Sequence, residues 1–240
     1  MASDLYVSLS GQMAMEARLA TLANNVANMR TGGFRAETVK FDTVMSDYNA
    51  ARVNFAAVGA THIERTAGAV ERTGNALDVA VVGDGWFGVQ TPEGVAYTRD
   101  GRFTVSPEGD LTTLTGHGVI DEGGAPIQVA AAGGPIAIGA DGTMRQDGRN
   151  VGVLGLFTLG ADARLTRYGD AAFRSDAPGE PVVDRVTNGV RQGYREGSNV
   201  NPIKAITELI EIQRAFDSAT RVVGDREEAL SRAVRTLGAE

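Results

Sequence analysis

Between residues 73 and 190 the chain reverses too often to hold a helix. Glu93-Gly94, Asp100-Gly101, Glu108-Gly109, Gly116, Gly123-Gly124, Gly133-Gly134, Asp141-Gly142 and Asp147-Gly148 each mark a turn. Glycine reaches positive φ without a Cβ clash, and an Asp carboxylate bonds the backbone of its own turn. Between these signals lie short β-prone pieces such as VAYT, RFTV, PIAI and VGVLGLFTL. Turns this regular, with no helical period between them, predict an antiparallel β domain of hairpins over 73–190. Its expected core includes Leu77, Val79, Val81, Trp86, Phe87 and Phe103.

Both ends follow a different rule. From Leu5 to Met29 there is no proline and Gly11 is the one interruption. Met15, Leu19, Leu22, Val26 and Met29 step by four, three, four and three, the spacing of a heptad seam, with Leu5 and Leu9 upstream of it. Thr31-Gly32-Gly33 supplies the stop. Near the other end, Asn201-Pro202 places a capping residue before a proline at the first helical position. Ile203, Ile206 and Ile210 open a stripe that runs through Phe216 and Val223 to Leu230. Each helix combines a narrow apolar stripe with a broad polar face, so the pair is expected to form a coiled coil. Two helices alone bury little and leave much of the stripe wet, which points to several copies packing together; closure of one domain by the pair is the alternative. Asn24 and Asn28 share a face and are expected as polar register contacts.

The predicted fold class is therefore mainly β with α-helical termini. Residues 1–34 and 191–240 form helical segments, 35–72 an extended arm with weak periodicity, and 73–190 the antiparallel β domain.

One motif argues for an enzyme at first sight. Gly83-Asp84-Gly85-Trp86-Phe87-Gly88 follows an apparent strand in the G-x-G-x-x-G pattern of a dinucleotide-binding turn. That site needs a helix starting inside the turn, because the helix N-terminus holds the pyrophosphate. Here VQTPEGVAYTRDGRF follows, which contains a proline and two further turn signals. The motif reads instead as a turn leading into a strand with core aromatics, and no cofactor is expected. No G-x-x-x-x-G-K-[ST], H-E-x-x-H or G-x-S-x-G occurs. Cysteine is absent and the two histidines, His62 and His117, are far apart, which leaves poor material for a metal site. A net charge of −7 offers no basic field for nucleic acid. No stretch approaches the ~20 apolar residues of a membrane span, and the N-terminus lacks the basic start and compact apolar run of a cleaved secretion signal.

Three blocks then carry a family resemblance. Ser10-Gly11-Gln12-Met13, Arg18-Leu19 and LANNVANMRTGGFR resemble the N-terminal signature of flagellar basal-body rod and hook proteins. EGSNVNPIKAITELIEIQRAFD, from Glu196 to Asp217, resembles their C-terminal signature, and TGNALDVAVVGDGWFGVQTPEGVAYTRDGRF resembles their shared β domain. Gly32 and Ala76 depart from the pattern, standing where many members have proline. The resemblance implies a non-enzymatic subunit of the proximal rod that packs with copies of itself and other flagellar axial proteins. It further implies passage through the flagellar export apparatus, terminal helices forming an inner tube, and no metal, nucleic acid or membrane insertion. A distal rod or other hook-family protein is the alternative within the family. In another class, the alternative is a secreted β-domain binder or enzyme oligomerised by its helices.

Overall fold

A computed structural model of the chain describes residues 2–48, 51–169 and 171–237, with side chains described there except at 2–6, 42–48, 51–58, 226–227, 230–231, 233–234 and 236–237. The described chain is mainly β with one helix near each terminus. It divides into two compact units. One holds Met1–Ala27, Glu37–His62 and Asn201–Glu240, the other Asn28–Ala36 and Ile63–Val200.

The helical unit contains α1 (Ala2–Ala27), β1 (Glu37–Tyr48), nearly all of β2 (Ala51–Ile63) and α2 (Pro202–Leu237). Helix α1 packs against α2 and β1, and β1 pairs with β2 as a two-stranded sheet. The start of α2 is capped as its sequence requires. Asn201 Oδ1 accepts the Lys204 amide at 3.1 Å and its carbonyl accepts the Ala205 amide at 2.9 Å. Gly224 does not break α2.

In the β unit the strands are β3 (Val70–Arg72), β4 (Val79–Val82), β5 (Trp86–Thr91), β6 (Gly94–Thr98), β7 (Phe103–Val105), β8 (Leu111–Thr113) and β9 (Gly118–Val119). They continue as β10 (Ile136–Ile138), β11 (Thr143–Gln146), β12 (Arg149–Val153), β13 (Leu156–Thr158), β14 (Leu165–Tyr168) and β15 (Ala172–Ser175). Last come β16 (Glu180–Pro181), β17 (Gly189–Gln192) and β18 (Tyr194–Glu196). The largest sheet runs β14-β15-β6-β5-β9-β8-β7, with β13 joined to β5 and β16 to β13. A second sheet is β10-β11-β12, and two pairs, β4 with β17 and β3 with β18, bring distant segments together. Gly109, Gly116, Gly124, Gly142 and Gly148 hold positive φ in the connections, and Gly94 does so at the start of β6. Gly101 serves another purpose: a Cβ there would lie 1.7 Å from the Val79 carbonyl oxygen, so close backbone approach demands it.

The GDGWFG stretch joins two different sheets. Strand β4 pairs with β17, whereas β5 pairs with β6, β9 and β13. Its third glycine lies inside a strand, β5, and not at the start of a helix. Asn188 Oδ1 accepts the Asp84 amide at 2.8 Å and pins the turn. Because strand side chains alternate, Trp86 and Phe87 enter different cores. Phe87 packs with Val79, Val81, Leu111, Met144 and Leu156, edge-on to Phe103 at 5.1 Å, and Leu77 covers that cluster while half-buried. Trp86 joins Ile63, Tyr97, Ile120 and Phe157, edge-on to Phe173 at 5.6 Å.

Candidate assembly interface

On the helices, burial separates two kinds of apolar face. In α2, Ala205 and Ile212 are buried, and Leu209, Phe216, Ala219 and Val223 are half-buried. These six step by four, three, four, three and four, a single seam. Ile203, Ile206 and Ile210 are 81%, 41% and 44% exposed. At 100° per residue they lie roughly 130° around the helix from that seam. In α1, Ala14 and Leu22 are buried, Met15, Leu19 and Val26 half-buried, and Leu9 and Met13 exposed at 50% and 59%. The side chains of Leu5 and Leu230 lie outside the described residues. One apolar set thus faces the intrachain partner, and another is left at the surface.

Among the asparagines, the middle one carries the buried contact. Asn25 is 5% exposed, donates from Nδ2 to the Glu37 carbonyl at 2.8 Å, and accepts the Glu37 amide on Oδ1 at 3.0 Å. This two-way bond satisfies a strand residue as a neighbouring strand would. Asn24 is exposed, and Asn28 is half-buried with its Oδ1 accepting the Thr31 hydroxyl at 3.0 Å. The sequence ANNVAN offers no local signal for which of the three amides turns inward.

In the β unit, the two terminal signatures meet. Arg35 from GGFR and Glu196 from EGSN form an ion pair with both side chains fully buried. Arg99 reaches the other carboxylate oxygen at 3.2 Å and donates to the Gly83 carbonyl at 3.0 Å. The Gly68 amide adds a third donor to Glu196 at 2.8 Å. Two guanidiniums on one carboxylate leave an excess positive charge. Trp86 meets it, with Arg35 and Arg99 at 5.5 and 5.3 Å from its ring centroid. Burial lowers the Arg99 pKa, with repulsion from Arg35 adding to it and Glu196 opposing. The Nε atoms of Arg35 and Arg99 find no acceptor among the described residues. Breaking such a cluster from one side costs about 3–5 kcal/mol, because a charge stays buried without its partner.

Backbone bonds complete the junction. The Gly33 amide donates to the Glu196 carbonyl at 2.9 Å, and the Asn199 amide to the Phe34 carbonyl at 3.2 Å. Phe34 is fully buried beneath Arg167, whose guanidinium sits 4.3 Å from the ring centroid and donates to the Arg35 carbonyl at 2.7 Å. Sequence reasoning missed Arg35, Arg99, Glu196 and Asn199 as interacting residues. Arg35, Glu196 and Asn199 lie in the two end motifs and Arg99 in the β-domain block, but the meeting of Arg35 with Glu196 across 161 residues is invisible to local pattern.

Nothing in this geometry resembles a reaction centre. Among the described residues no group of three or more His, Cys, Asp or Glu is placed to hold a metal. None of their helices is long and apolar enough to cross a membrane. What the arrangement provides is shape, a paired helix unit and a tightly tied β unit.

Comparison with known proteins agrees with that character. Residues 5–35 match the family described as flagella basal body rod protein. Residues 80–146 match the flagellar hook protein FlgE/F/G D1 domain, and residues 191–236 the flagellar basal body rod FlgEFG protein C-terminal family. The chain belongs to the flagellar basal-body rod proteins, and it is a structural subunit, not an enzyme. Within them it is most like FlgF. The flagellar basal-body rod protein FlgF of Rhizobium meliloti is 47% identical over 238 residues, 99% of each chain. That of Mesorhizobium japonicum is 43% identical over the whole of both. By comparison, the FlgG protein of Bacillus subtilis is 29% identical over 98% of each. The family places the subunit in the basal-body rod, assembled with other axial flagellar proteins.

Proposed function

We propose that this subunit polymerises within the proximal rod into a hollow shaft that crosses the periplasm, transmits torque and lets later subunits pass. Residues 1–34 and 191–240 supply the axial core, 73–190 the β domain, and 35–72 the connecting arm. The observation that carries this reading is the second apolar face of the helices. Ile203, Ile206 and Ile210 on α2, with Leu9 and Met13 on α1, stay at the surface while a separate seam pairs the helices. Exposed aliphatics at helical spacing suit burial against helices of neighbouring subunits. In the assembled rod, helices α1 and α2 supercoil with those neighbours, and Asn24 and Asn28 hold polar register across the contacts. Subunits reach the site through the flagellar export apparatus, without a cleaved signal peptide.

The test is Ile210→Asp expressed from the native locus. Ile210 is 44% exposed, so the purified chain is expected to keep its helix content and melting behaviour. Swimming should be abolished, with no complete rod in imaged basal bodies. Normal motility and intact rods in this variant would refute the packing claim. Leu22→Asp, inside the seam, is expected to lose motility and helix content together.

A further inference from the structure

The chain passes between its two units at four places: after Ala27, Ala36, His62 and Val200. Three of these lie beside the junction in the β unit, and one side chain joins them. Asn199 accepts the Ala36 amide on Oδ1 at 2.6 Å, and its Nδ2 donates to the Glu64 and Thr66 carbonyls at 3.2 and 3.0 Å. The Glu64 amide in turn donates to the Ala36 carbonyl at 2.8 Å. Three residues upstream, Glu196 gathers Arg35, Arg99 and the Gly68 amide on one buried carboxylate. The Gly197 amide closes the ring on the Ala69 carbonyl at 2.8 Å.

We propose that Glu196 and Asn199 form a single latch that locks the exits of the β unit, 33–36, 63–69 and 196–200, so that they hold or release together. The two residues are positioning residues for assembly. Neither makes the β core: that core is built from Phe87, Leu111, Met144, Leu156 and their neighbours, and neither latch residue belongs to it. Their task is to fix where the chain leaves the β unit at three points with one set of bonds. Separate anchors would let one exit loosen while another held. A shared carboxylate and a shared amide cannot, because removing either strips partners from two or more segments at once.

Amide hydrogen exchange on the full chain tests the linkage, with the emission of Trp86, the one tryptophan in the chain, as an optical reporter. Glu196→Gln keeps the size of the side chain but leaves both guanidiniums without a carboxylate. Exchange at Gly33, Ala36, Gly68 and Gly197 is expected to accelerate together, by at least about tenfold, through a shared local opening. Trp86 emission should shift to the red, while the Leu111, Ile127 and Val190 amides keep their protection. Asn199→Asp is isosteric; it keeps the Oδ1 acceptor for the Ala36 amide and replaces the Nδ2 donors with a carboxylate oxygen that the Glu64 and Thr66 carbonyls repel. It should speed exchange at Ala36 as well as loosening 64–66. Arg99→Met leaves one guanidinium on one carboxylate and should preserve protection at Ala36.

Faster exchange at Gly68 and Gly197 with Gly33 and Ala36 unchanged in Glu196→Gln would overturn the latch. If that variant does not fold, Asn199→Asp decides: loosening of 64–66 alone overturns the latch, and joint loss with Ala36 upholds it. The inference rests on the rod reading only for its purpose. Exchange without linkage defeats the latch whatever the motility, whereas a linked latch in a strain that swims without this subunit defeats the rod reading.

Discussion

Gly88 and Gly85 are both glycines of GDGWFG, and the structure assigns them opposite sensitivities. A Cβ on Gly88 would lie 2.6 Å from Phe157 Cε2 and 2.7 Å from Ile120 Cγ1. Phe157 and Ile120 are 6% and 1% exposed, and β13, which carries Phe157, is paired to β5 beside it. Neither side chain has room to swing away. Forcing a methyl into a packed core costs about 1–3 kcal/mol, and the double contact puts Gly88→Ala near the upper end. At about 2–4 °C per kcal/mol for a unit of this size, the melting temperature should fall by roughly 6–12 °C. At Gly85 the same atom meets Val81, Leu156 and Val182 at 3.6–3.7 Å, ordinary van der Waals contact, and φ is not in the left-handed region. Gly85→Ala should therefore be neutral or stabilising by about 0.4–1 kcal/mol, since alanine restricts the unfolded chain. Thermal unfolding of the full chain followed by Trp86 emission measures both, because that ring lies in the affected core. A Gly88→Ala protein melting at or above wild type, or a Gly85→Ala protein melting below Gly88→Ala, would refute the packing argument.

Further outcomes follow from other parts of the molecule. Phe173 is fully buried against Trp86, with Arg167 5.1 Å from its ring centroid. Phe173→Ala should cost about 3–5 kcal/mol in urea unfolding monitored by Trp86 emission, and a loss under about 1 kcal/mol would contradict its place in the core. Asp184 accepts the Thr187 hydroxyl and the Thr187 and Val186 amides, which lower its pKa below the ordinary 3.8. A depressed carboxylate stabilises its loop above the unfolded value, and that support is lost as pH falls through the folded one. The Thr187 amide resonance should thus titrate below pH 3.8; a midpoint at or above it counts against these bonds.

Much of the architecture was legible locally. The proline-free stretch ending before Thr31-Gly32-Gly33 and the Asn201-Pro202 cap both lie where helices start or stop. Six of the turn glycines, Gly94, Gly109, Gly116, Gly124, Gly142 and Gly148, hold positive φ, because that is a property of four residues and their backbone. The pattern of α2 was only half legible. A stripe drawn from Ile203 through Phe216 to Val223 merges two faces, since apolar residues lie on both and periodicity cannot say which one meets a partner inside the chain. Residues 37–48 and 51–63 gave no clear period, yet they form the long strands β1 and β2. Likewise GDGWFG reads as a turn from its own residues, but that its two flanking strands belong to different sheets is fixed by β17, some hundred residues on.

By itself the sequence determined the helical ends, the turn-rich antiparallel middle and the absence of a dinucleotide turn. Each of these depends on conformational preferences within a few residues, on φ, capping and side-chain period. Tertiary structure alone decided that Asn25 rather than Asn24 turns inward. It alone brought Arg35, Arg99 and Glu196 into one buried cluster on Trp86, with Asn199 lacing the segments beside it. Those choices depend on which distant groups share a desolvated space, where an unpaired charge or amide is costly and the fold must supply its partner.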